Sequence, residues 1–173
     1  MQYEGVPSDL FATIVIDPPW SYGDHLPGGG RGAAKHYQCL SPAQLMDLPV
    51  EAMAVDNAHL WVWATNAFML EALLLMRGWG FTQKTILTWC KPQIGMGRYL
   101  RNTTEHCIFG VRGKLPSAGP KNIPSHFHAP RTKHSEKPSV AYDIIKAISP
   151  EPRIDLFARQ LRDGFVPWGN EIS

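Results

Sequence analysis

The apolar positions of this chain fall into short continuous runs separated by stretches of helical spacing. Phe11-Ala12-Thr13-Ile14-Val15-Ile16 is the first run. It is β-branched and has no polar face, which predicts a strand covered on both sides. Asp17-Pro18-Pro19-Trp20 follows directly; two prolines neither continue a strand nor donate to its ladder, so the chain must leave the sheet there. Residues 59–64 read as a second buried strand, 81–89 as a third that Lys91-Pro92 stops, 105–111 as a fourth closed by Arg112-Gly113, and 153–158 as the last. Between these, Ser41-Pro42-Ala43-Gln44 has the layout of a helix start, with Ser41 as N-cap and Gln44 three residues on; the helix is short and stops near Leu48-Pro49. Over 66–77, Phe68, Leu70, Leu73, Leu74, Leu75 and Met76 recur at helical spacing and Gly78 supplies a stop. Over 139–148, Val140, Ala141, Ile144, Ile145 and Ile148 form one apolar face that Ser149-Pro150 ends. Strands alternating with helices predict an α/β sandwich around a mainly parallel sheet.

Length and composition narrow the class. A chain of 173 residues suits one domain with a single core. Cys39, Cys90 and Cys107 are odd in number and unpaired in spacing, which suggests neither a disulfide framework nor a zinc site and suits a reducing cytoplasm. No basic-then-apolar leader and no apolar run of membrane-spanning length is visible, so a soluble protein is expected. The formal net charge is only +2, but residues 91–137 hold nine Lys or Arg against two acids while residues 1–90 hold four against eight. A basic, Pro- and Gly-rich middle suits a phosphate backbone, with a solvated loop as the plain alternative. Tyr22, Arg98, Tyr99, Arg101, Arg131 and Lys133 are the candidate nucleic-acid contacts. The glycines of Pro27-Gly28-Gly29-Gly30-Arg31-Gly32 lack the Gly-Lys-Ser/Thr of a nucleotide loop and read instead as a mobile flap. His126-x-His128 lacks a third ligand at a sensible spacing, so no metal is expected.

The chemistry centres on Asp17. Ligands of open α/β sheets bind beyond the carboxyl ends of the strands, where the Asp-Pro-Pro-Trp turn falls. The alternative is structural, with Asp17 capping a turn and Trp20 plugging the core. Taken in order, Asp17-Pro18-Pro19-Trp20, Glu136-Lys137-Pro138 before a helix, Leu156-Phe157-Ala158-Arg159 and Trp168-Gly169-Asn170-Glu171 resemble the S-adenosylmethionine-dependent adenine N(6)-methyltransferases. More narrowly, the chain resembles the family of the catalytic subunit of eukaryotic messenger-RNA adenosine methyltransferases and its bacterial and phage DNA-modifying relatives. The likeness runs from about Ala12 to Glu171 and includes Trp61-Val62-Trp63-Ala64-Thr65-Asn66 and Asn102-Thr103-Thr104-Glu105-His106-Cys107.

The resemblance implies a Rossmann-like, class I methyltransferase three-layer sandwich, one domain over 1–173, with the permuted, β-class-like order that puts the catalytic turn first and the cofactor strand last. It implies S-adenosylmethionine as cofactor and adenine in DNA as substrate, with short or relaxed specificity. RNA adenosine, or a non-catalytic nucleic-acid-binding partner subunit, is the alternative, and a homo- or heterodimer is left open. Asp17, Pro18, Pro19 and Trp20 would form the catalytic turn, with Asp17 also touching the cofactor. Lys137 would meet its methionine end, and Arg159, Asn170 and Glu171 its ribose and adenine ends. The loops around 21–37 and 126–137 would be flaps. Two departures stand out: the glycine-rich cofactor signature is reduced to Phe157-Ala158-Arg159, and Gln160-Leu161-Arg162 replaces the pair expected in the messenger-RNA enzymes, so Arg162 has no assigned role.

An adenine amino nitrogen is a weak nucleophile because its lone pair is delocalised into the ring. A carboxylate from Asp17 and the Pro18 carbonyl could each accept one amino hydrogen and aim that lone pair, with Trp20 stacked on the base. Such a transfer requires no covalent intermediate on the chain.

Overall fold

Strand β1 (Phe11–Ile16) lies inside the sheet, paired in parallel with β2 (Ala54–Ala64) on one side and β6 (Arg153–Leu156) on the other. The computed structural model describes residues 7, 9–21, 39–95, 99–117, 119–131 and 136–169. Among them the sheet has seven strands in the order β5-β3-β4-β2-β1-β6-β7, where β3 is Thr82–Cys90, β4 Thr104–Arg112, β5 His126–His128 and β7 Val166–Trp168.

The alternation of side chains across the pleat sorts the core into two layers. Ile14, Ile16, Leu60, Val62, Ala64 and Ile108 face α1 (Pro42–Met46), α2 (Val50–Met53) and α3 (Met69–Gly78). Val15, Trp61, Trp63, Cys107 and Phe109 face α4 (Ser139–Ile148) through its Ala141, Tyr142 and Ile145. Helices on both faces of the sheet give the α/β sandwich that the pattern predicts, and β1 buries apolar residues on both sides, as an unbroken apolar run must.

Several boundaries differ from the sequence expectation, each for a local reason. The sheet is mixed, because β4 runs antiparallel to both β2 and β3. Strand β2 begins at Ala54 rather than at His59; Asp56 and Asn57 hide it in the sequence because that segment is edge-exposed. Strands β5 and β7 are too short to show as periodicity. The last predicted strand ends at Leu156 instead of continuing to Ala158, because Phe157 turns into the left-handed region at φ 60°, a costly conformation for a bulky residue. The capping box at Ser41 is present, with Gln44 N–H donating to Ser41 Oγ at 3.3 Å and Ser41 N–H to Gln44 Oε1 at 2.9 Å.

Helix α3 ends at Gly78, but Gly78 is not the residue that turns the chain. Gly78 is its last helical residue, and a Cβ there would stand 2.5 Å from Met46 Cε of α1. The turn is made by Gly80 at φ 81°, with Phe81 N–H donating to Met76 O at 3.0 Å and Gly80 N–H to Arg77 O at 3.1 Å. That is the paired Schellman pattern, in which the residue after the C-cap must be left-handed. Gly80→Ala is therefore expected to cost about 1–2 kcal/mol. Gly78→Ala should cost less or even stabilise, since Ala is favoured inside a helix by about 1 kcal/mol and the Met46 side chain can swing aside. Urea unfolding of the two variants checks the order; equal losses would contradict this capping.

Candidate active site

The strand registers bring the carboxyl ends of β1, β2, β3, β5, β6 and β7 to one edge of the sheet. The start of antiparallel β4 lies there too, with Ala64 opposite His106 and Cys90 opposite Thr104. Asp17 leaves β1 at this edge, Lys91 leaves β3, Glu105 enters β4 and Lys137 precedes α4.

Their side chains form a continuous ladder of alternating charge. Lys91 Nζ lies 2.6 Å from Glu105 Oε2, Glu105 Oε1 lies 2.8 Å from Lys137 Nζ, and Lys137 Nζ lies 2.8 Å from Asp17 Oδ2. Arg159 extends it, with Nε 3.9 Å from the same Asp17 oxygen. Lys137 is only 8% exposed and also sits 5.3 Å from the centre of the Trp63 ring. Buried charges persist only when paired and hydrogen-bonded, and here the central lysine is shared by two carboxylates.

The sharing is unequal. Burial alone would raise the Glu105 pKa, but Lys137 and Lys91 outweigh it and hold the carboxyl down at about 2. Asp17 has no second lysine among the groups that act on it; burial prevails over Lys137 and Arg159, Glu105 adds repulsion, and its pKa is raised. Burial works against the Lys137 charge, yet Asp17 and Glu105 overrule it and push its pKa above the ordinary lysine range. The site thus holds a fixed cation beside a carboxylate that takes up a proton more readily than a free one.

Behind the ladder lies a further cluster. Arg162 donates from Nη2 to the Lys137 carbonyl at 2.7 Å, places its guanidinium 3.6 Å from the Tyr142 ring centre, and holds Nε 3.8 Å from Asp155 Oδ2. The residue that sequence reasoning left without a role thus anchors the backbone that presents Lys137. Asp155, on β6 opposite Val15, is almost wholly buried; burial pushes its pKa up to about 7 despite Tyr142 and Arg162.

Of the predicted site residues, Asp17, Lys137 and Arg159 come together. Trp20 requires a correction. It is 7% exposed, its indole stacks on Phe68 at 4.9 Å and 8°, and its Nε1–H donates to Trp63 O at 3.1 Å. One face of the ring is taken and the residue is packed in the core, so Trp20 braces the turn and is no open platform for a base. The Pro18 carbonyl accepts the Trp20 N–H at 2.8 Å in a tight three-residue turn, which leaves one lone pair on that oxygen. Gly169 brings the final segment against the end of β6, where a Cβ would stand 2.7 Å from Ala158 O; Ala158 N–H donates to Trp168 O at 3.0 Å. Tyr99, Arg101 and Arg131 lie exposed beyond the β3–β4 hairpin, and Arg131 N–H donates to Gln93 Oε1 at 3.2 Å. Tyr22, Arg98, Lys133, Asn170 and Glu171 lie outside the described residues, as do the glycine cluster and part of each expected flap. No cluster of His, Cys, Asp or Glu suited to a metal occurs among the described residues, and no helix among them is long and apolar enough to cross a membrane.

Sequence reasoning missed Glu105, Lys91 and Asp155. Their signal was an acid or lysine set at the boundary of, or inside, an apolar strand, as in Glu105-His106-Cys107-Ile108-Phe109 and Arg153-Ile154-Asp155-Leu156. The sign of the Asp155 effect follows from linkage. Its folded-state pKa lies above the ordinary value of 3.8, so the stability it contributes is full below that value and falls as pH rises to about 7, then levels off. Asp155→Asn removes the ionisation, so its unfolding free energy relative to the unsubstituted chain, read from urea titrations, is expected to climb between about pH 4 and 7, by a few kcal/mol at most, and to stay level above. A constant difference across that range would contradict the buried, proton-retaining carboxyl.

The MT-A70 family model matches residues 11–171. A type II methyltransferase, M.MunI, of Mycoplasma sp. is 32% identical over 96% of this chain and 80% of its own length. The human N(6)-adenine-specific methyltransferase METTL4 is 29% identical over 94% of this chain, and the human N(6)-adenosine-methyltransferase catalytic subunit METTL3 is 26% identical over 94%. The chain spans 37% and 28% of the lengths of those two. A match over nearly the whole chain, on a sheet whose edge gathers Asp17, Lys137 and Arg159, makes this protein a member of the MT-A70 family.

Proposed function

We propose that this chain transfers a methyl group from S-adenosylmethionine to the N(6) amino group of adenine in DNA, in a short or relaxed sequence context. The observation that carries the reading is the Asp17 carboxylate at the end of β1, 2.8 Å from the buried Lys137 ammonium, at the edge where α/β sheets bind their ligands. Asp17 and Lys137 form an internal pair of opposite charges. The amino-acid head of S-adenosylmethionine carries the same two charges, so these residues fit it, Lys137 toward the carboxylate and Asp17 toward the ammonium. Arg159, Asn170 and Glu171 are the proposed contacts for its ribose and adenine.

What the cofactor supplies when bound is an electrophilic methyl on a sulfonium. The chain supplies orientation. Asp17 accepts one amino hydrogen of the target base, and the remaining lone pair of the Pro18 carbonyl accepts the other, which draws the nitrogen lone pair out of conjugation. The two prolines and the packed Trp20 fix both acceptors in advance, so little freedom is lost at the moment of transfer. The raised pKa of Asp17 suits it to receive the proton that the amino group gives up. No nucleophilic sulfur is needed, and burial holds the Cys107 thiol well above its ordinary range, in its unreactive form.

DNA is preferred because the Mycoplasma relative, a type II methyltransferase, matches over 96% of this chain and 80% of its own length. RNA is the second reading, favoured by the relatives named as adenosine methyltransferases. Radiolabelled cofactor incubated with DNA oligonucleotides should label adenine-containing strands and leave adenine-free strands blank; equal label in both would sink the reading. Matched RNA competitor should lower DNA labelling less than DNA competitor does. Asp17→Ala should cut turnover at least about 100-fold while shifting the melting temperature little, because Lys137 keeps Glu105 as partner. Full turnover in that variant would refute the assigned chemistry.

A further inference from the structure

On the α3 face of the same edge runs a polar relay that the proposed chemistry does not use. Thr88 Oγ1 lies 3.1 Å from His106 Nδ1, His106 Nε2 lies 2.7 Å from Asn66 Oδ1, and Asn66 Nδ2 donates to Asn102 Oδ1 at 3.3 Å. The chain has one consistent polarity. An Asn66 oxygen can only accept, so His106 carries its proton on Nε2 and its Nδ1 accepts from the Thr88 hydroxyl. Burial, with Lys91 assisting, keeps the His106 pKa below the ordinary histidine range against the pull of Glu105, in keeping with a neutral ring.

The relay ends in exposed amides, each of whose oxygens accepts one hydrogen bond and keeps one lone pair. Its unengaged donors outnumber those lone pairs: one N–H is left on Asn66, and two on Asn102 carry no hydrogen bond among the described residues. Its place is next to the catalytic turn. Asn66 opens the short helical turn Asn66–Phe68, and Phe68 is the residue stacked on Trp20. Asn102 lies on the hairpin extension between β3 and β4, braced by Lys91 N–H donating to Thr103 O at 2.7 Å and Gly95 N–H to Asn102 O at 3.0 Å. The exposed Arg101 immediately precedes Asn102 in this connection, suited to the phosphate that accompanies a base.

We propose that Asn66 and Asn102, oriented by His106 and Thr88, read the base adjacent to the target adenine, selecting one that presents acceptor atoms to their N–H groups. With three N–H groups against two lone pairs, guanine, which sets the acceptors N7 and O6 side by side, is the best match. Adenine, with N7 beside an amino group, engages one donor and one oxygen and comes second, and cytosine, which presents only an amino group there, is disfavoured. The relay thus determines specificity, and Glu105, on the opposite face of β4, takes no part in it. This rests on the proposed methyl transfer to DNA.

The test uses single-adenine DNA oligonucleotides with each base in turn on either side, labelled by the unsubstituted chain and by Asn66→Ala, Asn102→Ala and Asn102→Asp. The unsubstituted chain is expected to favour guanine at one neighbouring position by about tenfold. Both alanine variants should flatten that preference. Asn102→Asp keeps the shape and replaces donors with acceptors, so it should move the preference toward cytosine or adenine; Asn102→Ser serves if the aspartate variant melts early. Equal use of all neighbours by the unsubstituted chain overturns the inference. So does a fall in turnover that leaves the ranking of neighbours unchanged, which would make the relay a brace for the hairpin. Absence of label on every oligonucleotide would instead remove the proposed function, and the inference with it.

Discussion

One buried ammonium organises this molecule's functional edge. Lys137 Nζ sits 2.8 Å from carboxylates on two different strands, Asp17 after β1 and Glu105 in β4. Desolvated charges are tolerated only with close opposite partners, so the three groups constrain one another and tie β1, β4 and the entry to α4 into register. Arg162 adds a second constraint by tying the Lys137 carbonyl to the Asp155–Tyr142 cluster. The result is a preorganised cation and carboxylate whose geometry is set before any ligand arrives, the condition under which electrostatics contributes most to transfer chemistry.

The mixed sheet is what makes the ladder possible. In an all-parallel sheet each neighbour would present its carboxyl end at this edge, and a residue at the start of a strand would lie at the opposite end of the molecule. Because β4 runs antiparallel between β2 and β3, its first residues reach the edge. Glu105 then points to the α4 face toward Lys137, and His106 to the α3 face toward Asn66. Adjacent residues of one strand thus serve two sides of the edge, as the pleat requires. On that α3 side the Trp20–Phe68 stack connects the Asp17–Trp20 turn to the polar relay.

The sequence was most legible where a local rule is strong. The apolar run of β1, the capping box at Ser41 and the one-sided helix 139–148 stand where their patterns predict them, since each depends on neighbours close in the chain. It was least legible where the outcome rests on a distant partner. Gly78 looks like the turning residue by composition, but it is the last helical residue, at a place where a Cβ would crowd Met46, and the left-handed turn falls to Gly80. Trp20 looks like a base platform by motif, but Phe68 and the Trp63 carbonyl claim it for the core.

By itself, the sequence determined the family motifs, the α/β alternation and the place of Asp17 at a strand end, because motif order and hydrophobic period are written along one dimension. The tertiary structure alone decided which charges meet. Asp17, Lys91, Glu105, Lys137 and Arg159 are scattered through the chain, and no spacing rule links them. Strand order, the reversed direction of β4 and the exclusion of water bring them within ion-pair distance and shift the pKa values of Asp17, Glu105 and Lys137. Coulomb energy depends on separation in space and on the medium between charges, and neither quantity exists until the sheet has closed.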